Sequence, residues 1–346
     1  MSNWASGLLA MIAMAMPAHC DTVADSSAII DEVFAHLPFE KADLEKLLKG
    51  DIVAYDLEPG GDKEVAIAVA MLVRAPIGEL VDFVLRGQVF RVNKTVIDVH
   101  LFGDRPASED LFSGAGFTAD ESNEVVELMH AEPGSHFNLS RNEIARLEAV
   151  VQRLGPAPSV DSPDVRNAVN DAYRTILVER YRDYRRGGLE AMAPYERASS
   201  RVDTGKELRE MIGRMSFIRD TLPAFYRALV DYPENSEAGI HNQFALVKLN
   251  ANDRPAYVLS RRMYRIEPGQ KALVAYQEFY VGHSYNSLQI VAAVIRIDQG
   301  TLVFYANRTS TDLVAGFGGP LKRSMGRRIM RDNVSAHFEA IRRSVE

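Results

Sequence analysis

Apolar positions recur along the chain with two different periods. From Ile29 to Leu48, the residues Ile30, Val33, Phe34, Leu37, Leu44, Leu47 and Leu48 fall at helical spacing, punctuated by Pro38 and closed by Gly50. The pattern then turns strand-like over Ile52 to Leu57, breaks at Pro59-Gly60-Gly61-Asp62, and resumes as a buried strand from Val65 to Val73. Arg74-Ala75-Pro76 ends that run. Pro76 presets the first turn of a short helix over Ile77 to Leu85, with Ile77, Leu80, Val81 and Val84 on one face.

Six more stretches read as strands: Val89 to Leu101, Phe244 to Leu249, Ala256 to Ile266, Ala272 to Val281, Ser287 to Ile297 and Thr301 to Arg308. Turn chemistry at Asn250 to Arg254, Glu267-Pro268-Gly269-Gln270 and Asp298-Gln299-Gly300 joins the later ones as a meander requires. Gly316, Gly318 and Gly319 lead into a last helix from Leu321 to Arg343, with an expected apolar face of Leu321, Met325, Ile329, Val334, Phe338, Ile341 and Val345. Between the second and third of the seven strands, Pro106 to Gln243 is mostly helical in pattern, and Ser140 with Glu143 is spaced as a capping box. Either this is a helical insertion covering one mouth of a single sheet, or the strands belong to two domains.

The run Val69-Ala70-Met71-Leu72-Val73-Arg74-Ala75-Pro76-Ile77-Gly78-Glu79-Leu80-Val81-Asp82-Phe83-Val84 resembles the opening strand and helix of the START-like (SRPBCC, helix-grip) superfamily, in which a strand ends at Ala-Pro and a helix begins at once. The resemblance covers roughly 64–102 and 243–346. It implies an α+β fold, a curved antiparallel sheet of about seven strands wrapped on a long C-terminal helix. It also implies an apolar cavity under that helix that binds or carries a lipid-like molecule without a cofactor. The expected organisation is a signal peptide over 1–20, an N-terminal helical segment over 21–50, the first part of the grip domain over 51–105, the helical insertion over 106–240 and the remainder over 241–346.

Composition narrows the class. The 346 residues are 47% hydrophobic and 25% charged, which fits a globular chain and excludes disorder, collagen or a disulfide scaffold. A net charge of -7 gives no overall attraction to nucleic acid. Trp4 to Ala18 is apolar and uncharged, as in a signal-peptide core, although no Lys or Arg precedes Lys41. The expected location is therefore periplasmic or secreted. Cys20 is the single cysteine, so no internal disulfide can form.

Candidate ligand contacts lie on the later strands. Tyr257, Tyr276, Phe279, Tyr280, His283, Tyr285 and Tyr305 would supply aromatic walls with polar tips, and Ala272, Ala275, Ala292, Ala293 and Ala306 are small enough to leave space between them. Plain strand packing is the competing account. Gly282-His283-Ser284-Tyr285-Asn286 approaches the nucleophile elbow G-x-S-x-G, but Asn286 replaces the second glycine and a strand pattern follows. A hydrolase or cyclase using His283, Glu278 and Tyr285 is the first alternative function, and a protein-binding adaptor built on the insertion is the second. No metal-ligand spacing occurs; Glu127, His130, Glu132 and His136 are neighbours only in an irregular stretch. Residues 301–346 carry eight Lys and Arg against four Asp and Glu. Lys322, Arg323, Arg327 and Arg328, with Arg331, would either meet an anionic membrane surface or form a solvated face. Arg180, Arg182, Arg185 and Arg186, with Tyr181 and Tyr184, form a second basic stretch open to the same solvated reading.

Overall fold

A computed structural model describes residues 23–134, 136–235 and 237–346. The expected signal segment over 1–20 lies outside them. Two helices come first, α1 (Val23–His36) and α2 (Lys41–Lys49), separated at Pro38 as the pattern indicated. A reciprocal capping box between Glu40 and Asp43 starts α2, and Gly50, at φ 99°, ends it in the left-handed conformation. Then follow β1 (Val53–Asp56), β2 (Glu64–Val73), α3 (Ile77–Leu85), α4 (Gln88–Arg91) and β3 (Val96–Gly103).

The insertion contributes α5 (Ser122–Met129), α6 (Arg141–Leu154), α7 (Pro163–Gly187), a two-residue hairpin of β4 (Tyr195–Glu196) and β5 (Arg201–Val202), α8 (Thr204–Gly213) and α9 (Pro223–Val230). The meander β6 (Ile240–Ala251), β7 (Arg254–Glu267), β8 (Lys271–Val281), β9 (Ser287–Ile297) and β10 (Gly300–Ser310) leads into α10 (Gly319–Val345).

The fold is α+β. A single antiparallel sheet of eight strands runs in the order β1-β2-β10-β9-β8-β7-β6-β3. All seven expected strands belong to it, and β1 is the eighth, at the edge beside β2. One boundary differs from expectation. Val89 to Arg91 is helical, not strand, because Phe90 turns inward to pack on Ala245, Val247 and Val258. The turn after it is held by Asn93, whose Oδ1 accepts from Thr95 N at 3.0 Å and Oγ1 at 2.8 Å.

Helices cover the two faces of the sheet differently. On β2, Ile67, Val69, Met71 and Val73 face α10 and α3, while Ala68, Ala70 and Leu72 face the N-terminal helices and the insertion. Gly326 lets α10 lie close on β2, where a Cβ would sit 3.2 Å from the side chain of Val65. Phe338 of α10 meets the Tyr305 ring edge-on with centroids 5.2 Å apart. The apolar side of α10 is only half used. Met330, Val334, Phe338 and Ile341 pack inward, but Leu321, Met325 and Ile329 are 69%, 57% and 58% exposed, contrary to their expected burial. The helix meets the sheet mainly from Gly326 onward, so its first turns pass beyond the strands.

Under the insertion the packing is dense and aromatic. Phe279 stacks on Tyr184 at 3.8 Å with planes 7° apart, and Tyr181, Phe244, Phe102 and Phe112 extend the cluster. Arg180, far from solvated, is buried and donates from Nε and Nη2 to Glu143 at 2.6 and 2.7 Å. Glu143 also closes the expected capping box, accepting from Ser140 N at 2.6 Å.

Candidate functional site

The register of the strands divides the seven candidate residues between opposite faces of the sheet. Tyr257, Phe279, Tyr280 and His283 turn toward the insertion. A β-bulge opposite Leu259 and Ser260 brings both Phe279 and Tyr280 to that side. Tyr257 both donates to Gly116 O and accepts from Gly116 N, each at 2.8 Å, and packs with Phe117 and Tyr173. Tyr280 lies 3.3 Å from the Tyr173 hydroxyl. These four residues are buried against protein and serve as packing.

Tyr276, Tyr285 and Tyr305 form the other group, on the side of α4 and α10. They surround Glu278. Tyr276 donates to Glu278 Oε1 at 3.1 Å and Tyr285 donates to Oε2 at 2.6 Å. Among the described residues Glu278 has no cationic partner, so burial dominates and raises its carboxyl to about 7 despite the two phenol donors. The same burial, with the nearby carboxylate, pushes the hydroxyls of Tyr276 and Tyr285 well above the ordinary phenol range. Tyr305 accepts from Asn307 Nδ2 at 2.9 Å.

Cross-strand pairing sets an apolar floor around this cluster. Glu278 pairs with Leu288, Tyr276 with Ile290 and Val274 with Ala292, and Ala292 in turn pairs with Tyr305. Along β9 burial alternates: Leu288, Ile290 and Ala292 remain partly exposed, whereas Gln289, Val291 and Ala293, facing the insertion, are buried. β8 repeats the pattern, with Val274 and Tyr276 partly exposed and Ala275 and Gln277 buried. α10 stands over β2 on one side of this floor. Phe90 of α4 stands on the other, its ring 6.0 Å from Tyr276.

Arg262 lies behind Phe90, with its guanidinium 5.1 Å from that ring and Nη1 3.1 Å from Gln243 Oε1. Burial lowers its pKa to about 10. His337 of α10 is likewise depressed by burial, and its Nε2 is enclosed with no hydrogen-bond partner among the described residues. The result is a partly exposed apolar floor with one polar corner at Glu278.

On the face under the insertion the aromatic packing is close. A cleft there, lined by Val33, Leu37, Phe217, Val291, Ala293 and Phe304 among others, has about 50 Å³ of water-accessible space. That volume suits a few waters, well below the roughly 300 Å³ at which small-molecule sites begin.

Of the three groups considered for acid-base chemistry, Glu278 and Tyr285 come together and His283 does not. His283 Nδ1 is 2.7 Å from Ser284 Oγ; its Nε2 is 3.1 Å from Pro255 O and 3.8 Å from Glu124 Oε2. Burial, reinforced by the Arg254 charge, lowers its pKa and favours a neutral ring. Ser284 has φ 76°, and its tract joins β8 to β9, so the helix N-terminus that an elbow aims at its substrate is missing. Asn286 instead binds Arg197 and Glu207, each at 3.2 Å.

His136 pairs with Glu127 at 3.0 Å, and no cluster of three His, Cys, Asp or Glu side chains suited to a metal occurs among the described residues. No helix among them is long and apolar enough to cross a membrane.

The strand pattern alone could not have singled out the floor residues Leu288, Ile290 and Ala292. β9 is apolar on both faces, and only the covering helices decide which face stays open. No family model, curated protein or solved structure matches this chain.

Proposed function

We propose that a groove lies between the sheet and α10 and that the protein binds a hydrophobic or amphipathic small molecule there, with the polar end of the ligand at Glu278, Tyr276 and Tyr285. The observation that carries this reading is a buried carboxyl without a cationic partner among the described residues, set at the edge of a partly exposed apolar floor. Burying a carboxyl in this way costs free energy. A ligand hydroxyl or amine placed there would recover part of that cost, and Leu288, Ile290 and Ala292 would take its apolar body. A long C-terminal helix lying across one face of an antiparallel sheet supports the helix-grip resemblance, and with it a carrier role. The uncharged apolar stretch from Trp4 to Ala18 supports an exported setting.

Native mass spectrometry of the purified chain, before and after organic extraction, tests the reading. The expected result is a mass increment that extraction removes and that Ala292→Trp prevents from forming. A ligand-free mass together with no binding of 8-anilinonaphthalene-1-sulfonate would overturn it.

A further inference from the structure

We propose that the first half of α10 and the loop before it dock on an anionic lipid bilayer. Leu313, Phe317, Leu321, Met325 and Ile329 recur every fourth residue and all remain exposed, Phe317 completely. Phe317 projects from a tip formed by Gly316 and Gly318, at φ 70° and 74°, a conformation that larger residues rarely adopt. An apolar ring held out on a glycine-flanked tip, continuous with a stripe along a helix, is costly to leave in water.

The charges beside the stripe identify what covers it. Lys322 and Arg328 are exposed and make no ion pair among the described residues. Arg323 donates only to a backbone carbonyl, Asp62 O, at 2.9 Å, so its charge is not neutralised there. Arg327 and Arg331 share a single carboxylate, Asp56, at 2.8 and 3.3 Å. Within 319–332 the one acidic residue is Asp332.

Apolar side chains flanked by uncompensated cations match the boundary of a bilayer with anionic headgroups. A second copy fits poorly, because a two-fold contact would set this basic face against itself. A convex ridge also suits a fluid surface that conforms to it, whereas a folded partner would need a matching groove. The inference stands on this surface alone and does not depend on the groove being filled.

Flotation of the full chain with vesicles tests it. The chain should float with vesicles of phosphatidylcholine containing phosphatidylglycerol, and weakly or not at all with phosphatidylcholine alone. Phe317→Asp combined with Leu321→Asp should lower binding more than about tenfold. Lys322→Glu combined with Arg328→Glu should lower it roughly tenfold, and raised salt should do the same. All four side chains are exposed, so circular dichroism melting should match the parent, and ligand loading by native mass spectrometry should persist. Absence of flotation with the anionic vesicles, or equal flotation of the Phe317→Asp/Leu321→Asp variant, would overturn the proposal. So would sedimentation showing a dimer that this variant dissociates, since the stripe would then be a self-interface.

Discussion

The two faces of one sheet are finished in opposite ways. Toward the insertion, successive aromatic rings and a paired Arg180–Glu143 pack closely, and a cleft beside α1 has room for a few waters. Toward α10, alternate residues of β8 and β9 keep contact with solvent around a carboxyl that has no cationic partner among the described residues. Both faces are built from the same strands, often from adjacent residues such as Val291 and Ala292. The difference therefore lies in the covering layer: many interlocking helices on one side, and on the other α10 seated over β2 with the short α3 and α4 beside it. A filled face supports stability and an incompletely filled one leaves room for a ligand.

The largest effect should come from breaking the filled face. Glu143→Ala leaves the Arg180 guanidinium buried without its partner and should cost about 3–5 kcal/mol, read from the urea midpoint. Phe279→Ala should cost a similar amount, by opening a cavity against Tyr184.

Glu278 tests the open face through pH. Its pKa is raised in the folded state from an ordinary 4.5 to about 7. The fold thus favours the protonated form; its stabilising contribution is complete below about 4.5 and is lost as pH rises through 7. Relative to Glu278→Gln, the parent should lose on the order of 3 kcal/mol between those limits. A constant difference in stability between the two proteins across that window would contradict the assignment. Smaller still is the expected cost of Ile290→Ala, about 1 kcal/mol, because its side chain is already partly in water.

Much of the scaffold was legible in the sequence because strands and helices advertise different periods. Pro38, Ala75-Pro76 and Asp298-Gln299-Gly300 marked breaks the structure keeps, and Ser140 with Glu143 capped α6 as their spacing indicated. Val89 to Arg91 was misread because Val and Phe suit either element, and burial of Phe90 decided between them. Tyr257, Tyr280 and Tyr285 looked equivalent as aromatic strand or turn residues, and the bulge at Phe279 inverts the expected alternation of faces. In the basic run at Arg180 to Arg186, Arg182 and Arg186 are exposed as a solvated face requires, whereas Arg180 is buried on Glu143, 37 residues away in sequence and so invisible to a local pattern. Likewise, Leu321, Met325 and Ile329 carry a helical apolar stripe, but periodicity does not say how far a helix overhangs its sheet.

The central claim, that apolar space lies open on the α10 side and not beneath the insertion, is tested most directly by placing the same bulky side chain on each face. Ala275, facing the insertion, is fully buried, whereas Ala292, on the α10 side, is partly exposed. Ala292→Trp should fold with a loss below about 1 kcal/mol and abolish 8-anilinonaphthalene-1-sulfonate binding. Ala275→Trp should lose about 1–3 kcal/mol or more to overpacking. Equal destabilisation by the two substitutions, with dye binding unchanged in Ala292→Trp, would contradict the account.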